Sequence, residues 1–515
     1  MHKSALVYIE TRRRMSETIQ EPTTGSVRVV GGDHKPNTTL ILIYLMLGGL
    51  AYAVLQSLVA PALATIGKDL NASTSSTSWI ITAYLLSASV LTPIFGRLGD
   101  MMGKRRVLII VMSLLLVGTL VAALASNLGV LIVARILQGA AGAVLPLSIG
   151  IVRDEFPKER VSTMIGLLSG VFGIGAGIGI VAAGPIVQHL NYHFLFWLPL
   201  ILIVIALAGI IFGMPESPIR KPGRLDLVGT GVLTIALVAL LLAISEGETW
   251  GWGDFKTIGL LALGAVALVA FTIVELRVKA PLIDVRLFKF RGVWTAHVVA
   301  LVFGFAMYGT FVLVPTLLQL PAFTGYGFGK TASQAGLYLL PTVLMMIVVS
   351  PVSGSLVKRF GAKPPLIIGG IFITAAFVLP ALSHGHVWQI LLSGILTGAG
   401  IGFGLAAASN AIIESVPMEQ TGEAISANTI ARTIGSSIGT AVIAALISSH
   451  TKIFTLPTGK IGLPSGDTFT FGFWVCAAVG ALAIVTALVA PGMRKRLHDA
   501  HTVGVEDLDT VGGAH

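Results

Sequence analysis

The chain has 515 residues, of which 54% are hydrophobic and only 11% charged, with a mean hydropathy of +0.88. So few charges cannot cover a water-soluble globule of that size, so the composition defines a polytopic membrane protein. A net charge of +10 would point to nucleic acid in a soluble chain, but here it must first be compared with how the charges fall around the spans.

In chain order, residues 1–38 are polar and basic (Arg12, Arg13, Arg14). They lack a long apolar core beside a small-residue cleavage site, so no removable signal is expected, and Met15 is an alternative start. Fourteen apolar segments follow, near 39–64, 76–95, 105–125, 128–152, 161–185, 193–213, 226–245, 257–276, 292–318, 333–355, 364–383, 387–413, 421–449 and 469–490. Each is long enough to cross the roughly 30 Å hydrocarbon layer as a helix. The expected fold is therefore an all-α polytopic membrane protein. Its two six-helix bundles, 39–215 and 291–492, are joined by two linker helices in 216–290 and flanked by tails at 1–38 and 493–515.

An internal repeat supports that division. Gly96-x-Leu98 with Gly103 and Lys104 recurs as Gly354-x-Leu356 with Gly361 and Lys363, and the glycine-rich stretch after Gln138 is echoed at Gly398 to Gly404. Both recurrences have an offset near 258 residues. The second copy has no acid equivalent to Asp100. Counting bases gives the orientation: 27 of the 34 lysines and arginines fall in the two tails and the even-numbered gaps, and five (Lys68, Lys256, Lys330, Lys452, Lys460) fall in the odd-numbered gaps. Arg135 and Arg432 lie within spans. The asymmetry predicts a multi-pass cell-membrane protein with both termini cytoplasmic, and it accounts for the positive charge without a nucleic-acid partner.

The loop after the second span, GRLGDMMGKRR from Gly96 to Arg106, gathers three glycines, four bases and one acid. The glycines allow a tight reversal, and the bases hold it on the cytoplasmic side. Asp100 can pair with arginine or face the positive end of a neighbouring helix, in a contact made in one conformation and broken in another; a solvated turn is the plainer reading. In the fourth span, Arg135, Gln138, Gly139 and Gly142 share one helix face. A buried arginine in a span faces a polar cavity or a carboxylate. The fifth span carries Gly173-x-x-x-Gly177 and Gly175-x-x-x-Gly179, then Gly184 and Pro185, a small-residue surface for close helix packing.

These strings resemble the major facilitator superfamily, and within it the fourteen-span drug:proton antiporters. The loop matches the family's glycine followed by D-x-x-G-K/R-R, which implies a cytoplasmic gating role for Gly96, Asp100, Gly103, Lys104 and Arg105. ARILQG is similar to its fourth-span R-x-x-Q-G, which implies proton coupling through Arg135 with Gln138 and Gly139. The fifth span resembles the antiporter motif with Ala176 and Ile180 in place of prolines. The first span resembles L-D-x-T-I-V-N-V-A-L-P with Tyr52 in place of the aspartate. The usual membrane carboxylate is therefore missing. The remaining coupling candidates are Glu423, Arg432 and His297, the last read as a packed, neutral histidine.

A cavity lined by Tyr52, Gln56, Tyr84, Gln138, Tyr308 and Asn410, without a membrane acid, suits neutral, amphiphilic or anionic cargo better than cations. The resemblance implies a secondary transporter exporting small amphiphilic or drug-like molecules by alternating access with proton entry. A lipid or glycolipid conduit, a weakly coupled facilitator and a non-transporting sensor are the alternatives. An enzyme is not expected: no paired carboxylates, nucleophile elbow or metal-ligand cluster stands out, and the single Cys476 lies in an apolar run. No cofactor is expected either. GYGFGKT (Gly325–Thr331) has Thr324 where a phosphate-binding loop needs its first glycine and lies in an external gap, so no ATP site is assigned. His384-x-His386 is read as a polar turn.

Overall fold

The computed structural model describes residues 38–72, 74–216, 225–278, 281–417, 420–449, 451–456 and 459–491. The expectations for both tails, including Met15 as a start, lie outside them. Within these limits, 14 helical segments are long and apolar enough to span a membrane. Helices answer the constraint that hydrocarbon offers no partner for a backbone N–H or C=O.

The first six spans are α1 (Thr38–Asp69), α2 (Thr74–Met102), α3 (Lys104–Ala123), α4 with α5 (Leu128–Gly139, Val144–Glu155), α6 (Lys158–His189) and α7 (Phe194–Gly213). Next come α8 (Leu227–Trp250) and α9 (Phe255–Arg277). The last six are α10 (Arg291–Gln319), α11 with α12 (Ala332–Tyr338, Leu340–Phe360), α13 (Lys363–Leu382), α14 (Val387–Ile413), α15 (Thr421–Ser449) and α16 (Gly466–Val489). The same packing pairs occur in both sets of six: α1 on α6 and α10 on α15, α2 on α4 and α12 on α14, α3 on α7 and α13 on α16. The sets meet where α6 packs against α12 and α2 against α15.

Glycines set these crossings. Those of α6 divide between two faces: a Cβ on Gly175 or Gly179 would lie 2.5 Å from Ala53 Cβ or 2.0 Å from Ser57 Oγ of α1, whereas one on Gly166 or Gly177 would lie 2.5 Å from Ser350 O or 1.9 Å from Val343 Cγ2 of α12. Removing the side chain lets two backbones touch, which replaces the hydrophobic force that lipid cannot supply. Gly184 meets Ser333 of α11 in the same way, and Pro185 lies in the last turns of α6. In the fourth span, Gly139 and Gly142 back onto Ser87 and Thr92 of α2, and the helix tightens to a 3₁₀ turn at Ala140–Ala143.

The two linker helices lie at the side of the bundle. α8 packs on both α2 and α15, and α9 packs on α8 while turning Val266 and Val269 outward, 67% and 61% exposed. One feature was not anticipated: β1 (Thr451–Leu456) and β2 (Gly459–Pro464) form an antiparallel hairpin between α15 and α16. Tyr326 anchors it by donating its hydroxyl to Pro464 O, and Phe323 meets Phe454 edge-on.

Gly175→Val forces its side chain into Ala53 and the Leu50 carbonyl, and overpacking of this kind costs about 1–3 kcal/mol. Gly231→Ala, on α8, meets nothing within 4 Å and gains helix propensity of up to about 1 kcal/mol. Thermal unfolding in detergent should show the first variant several degrees below the parent and the second level with it or above.

Candidate functional site

Two assemblies stand at opposite ends of the bundle. The first is a network of buried charges where α2 ends and α15 begins. The Asp100 carboxylate accepts the backbone N–H groups of Gly422 (3.3 Å) and Glu423 (3.1 Å). Those are first-turn donors that no intrahelical carbonyl can reach, so Asp100 caps α15 from another helix and sits at its positive end. Arg97 completes the link, pairing with Glu423 at 3.1 Å, both side chains essentially inaccessible. Arg153 at the end of α5 donates to the carbonyls of Val416 (2.8 Å) and Pro417 (3.2 Å) and to the Thr421 hydroxyl. Gly96 and Gly422 make the contact possible, since a Cβ on Gly96 would lie 2.0 Å from Ser426 Oγ and one on Gly422 2.8 Å from Gly96 O.

The other motif residues act within the first six spans. Lys104 bridges Asp154 (2.8 Å) and Asp100 (3.7 Å), so it holds α2 to α5. Arg105 donates to Ile210 O (3.2 Å) and Ile211 O (2.5 Å), closing the end of α7. Gly103, at φ 110, supplies the turn into α3 that a side chain would strain. Among the described residues, the bases that cross between the two sets are thus Arg97 and Arg153. Sequence spacing did not single them out, because a crossing partner is fixed by the fold and leaves no local pattern.

The second assembly is a central cavity of about 660 Å³. Its lining comes from Ala53–Thr65 of α1, Ile81–Leu86 of α2, Arg135 of α4, Ala176–Gln188 of α6, Leu241–Ser245 of α8, Met307–Gln319 of α10, Gly336 of α11 and Ser436–Ala444 of α15. In every one of these spans that is the half remote from Asp100. The bundle is therefore closed at the Asp100 end and hollow at the other.

Of the sequence-predicted lining, Gln56, Tyr84 and Tyr308 face the cavity, and Gln56 Nε2 donates to the Tyr308 hydroxyl at 3.2 Å across the two sets of six. Tyr52 and Asn410 fall outside the lining. Tyr52 packs its ring on Phe172, 5.6 Å between centroids, and Asn410 satisfies its own donor on the Ala406 carbonyl at 2.8 Å, one turn back. Gln138 is also off the surface, held between Arg135 (2.9 Å) and Thr119 (3.3 Å). Arg135 does line the cavity and stands 4.3 Å over the Tyr84 ring.

His297 is buried against Phe288, with Nδ1 2.7 Å from the Val293 carbonyl, and Arg432 lies half-buried one turn before Ser436. Neither is among the lining residues. Sequence reasoning missed Thr82 and Ser245, which bond each other at 2.9 Å and bring α8 into the cavity wall. Their hydroxyls in apolar spans were the available signal.

A many-span bundle with a cavity closed at one end by interlocked charges defines a membrane transporter rather than an enzyme. The chain belongs to the Major Facilitator Superfamily, whose model matches residues 45–345 and 299–504. It is 30% identical to the tetracenomycin C resistance and export protein of Streptomyces glaucescens, over 79% of this chain and 76% of that one. It is 28% identical to the multidrug transporter protein MdtP of Bacillus subtilis (strain 168), over 80% of this chain and 76% of that one. Among solved structures, the proton:xylose symporter XylE superposes with a TM-score of 0.61 at 14% identity, covering 88% of this chain and 96% of that one, and shows the shared fold.

Removing Arg97 breaks the buried ion pair to Glu423, at a cost of up to about 3–5 kcal/mol to the closed end. In a Cys476→Ser background, a cysteine replacing the buried Ser426 should react with a water-soluble maleimide at least ~10-fold faster once Arg97→Ala is added.

Proposed function

We propose that the chain exports small amphiphilic or drug-like molecules across the cell membrane by alternating access, with proton entry resetting the cycle. The observation that carries this reading is the opposition of the two ends: a network of charges joins α2, α5 and α15 at one end, and the cavity occupies the far halves of the same bundle. Such a molecule is poised in one of two states, and exchanging which end is sealed moves a solute across lipid. The distribution of lysine and arginine supports a cytoplasmic position for the sealed end and for both termini, so the hollow end faces outward. The export and multidrug names of the relatives support the direction and the type of cargo.

In this cycle cargo reaches the cavity from the cytoplasm or inner leaflet when the Asp100 end is open. Closing that end docks α15 on Asp100 and joins Arg97 to Glu423, and the cavity then releases its cargo outside. Protonation is proposed to act at the network itself, since the described cavity lining contains no aspartate or glutamate. A neutral Asp100 no longer complements the positive end of α15.

Asp100→Asn should reach the membrane folded and lose most of its export. The carboxylate's attraction to the helix end and its charge-assisted hydrogen bonds together stabilise the closed end by about 1–2 kcal/mol. In everted vesicles, an imposed pH gradient should therefore drive uptake of a fluorescent amphiphile by the parent and at most about a tenth as much by the variant. Equal uptake by both would remove Asp100 from the mechanism, and uptake that ignores the gradient would remove the proton.

A further inference from the structure

Arg135 presents a problem that its own surroundings do not solve. Its side chain is 1% exposed inside a membrane span, yet no carboxylate pairs with it among the described residues. Two neutral acceptors hold it, the Ile80 carbonyl to Nε at 3.1 Å and Gln138 Oε1 to Nη1 at 2.9 Å, with the Tyr84 ring beneath. These contacts fix the plane of the guanidinium, and neither of them uses Nη2. Beside it stands the Tyr84 hydroxyl, on a side chain 3% exposed, with Tyr52 as its polar neighbour. Both residues line the cavity, and Arg135 is the one charged residue among its described lining.

Resting on the export reading above, we propose that Arg135 and Tyr84 form the head-group subsite for an amphiphilic organic anion, a carboxylate or sulfonate with an aromatic or aliphatic body. A buried unpaired cation in lipid is costly, and an entering anion removes that cost at the moment of binding. The planar guanidinium offers directed donors that suit an oxyanion, and the Tyr84 hydroxyl adds one more. The body of the ligand lies against Leu85, Met307, Phe311 and Val312, within a volume typical of drug-sized ligands. A cationic drug meets the opposite situation, since it has no counter-ion here and faces a like charge.

The test uses the full chain, purified in neutral detergent at neutral pH, and three probes sharing one body: pyrenebutyrate, its methyl ester and the matching trimethylammonium compound. Binding is read by energy transfer from tryptophan to pyrene. The parent should bind the acid at least about tenfold more tightly than the ester, the scale of one hydrogen-bonded charge, and the cation most weakly. Arg135→Ala should bring the acid down to the level of the ester, which separates this site from general attraction to a basic protein. Arg135→Lys should keep part of the advantage and Tyr84→Phe most of it. Equal binding of acid and ester by the parent, or preference for the cation, overturns the proposal without needing any variant to fold. In everted vesicles, uptake of the ester without any advantage for the acid overturns this assignment alone. Uptake of none of the three overturns the export reading and this subsite with it.

Discussion

The structure depends on a helix end that cannot satisfy itself. The first turn of α15 has backbone donors with no intrahelical partner, and in a span their usual partner, water, is absent. Asp100 reaches across from α2 to accept two of them, while Arg97 takes the Glu423 carboxylate of the same turn. The link between the two sets of six is thus also the cap of one helix. Breaking it exposes donors and charges together, and only hydration of both can make the break tolerable. Separating the two sets at this end would accordingly require the entry of water.

That constraint explains the glycines and the surrounding charges. Carboxylate and backbone can approach only because Gly96 and Gly422 leave no Cβ between them. Lys104 does not cross the seam. It fixes Asp100 against Asp154 so that the carboxylate is presented in one orientation. Across the bundle, α6 and α12 form the matching crossing with backbone contacts at Gly166 and Gly354, and there Lys358 stands at the position offset from Asp100. One crossing is therefore held by charges and the other by close packing, so a change of charge acts mainly on the first. The linker helix α8 adds a third element by spanning α2 and α15 and closing the cavity wall through the Thr82–Ser245 bond.

The sequence disclosed a good part of this. Span number followed from apolar runs, because hydrocarbon thickness sets a length that any spanning helix must meet. That Asp100 can face a helix end was legible from its isolation among bases. Its partners were not, since Gly422 and Glu423 lie more than 300 residues away and only the fold brings them close. The lining was read in part: Gln56, Tyr84 and Tyr308 face the cavity, whereas Asn410 bonds to its own helix, an outcome that depends on a rotamer and has no sequence period. The hairpin at Thr451–Pro464 was read only as an external gap, since its strands are short and carry no strict alternation.

The central claim is that the two ends of the bundle are sealed in alternation, and distances at both ends test it most directly. Spin labels at Met102 and Glu414 report the Asp100 end, and labels at Lys68 and Gln319 report the cavity end. In the parent, pulsed dipolar spectroscopy should find the first pair close and the second pair apart. Asp100→Asn should shift population so that the first distance lengthens as the second shortens. Two distances that change in the same direction, or a variant that moves neither, would contradict the account.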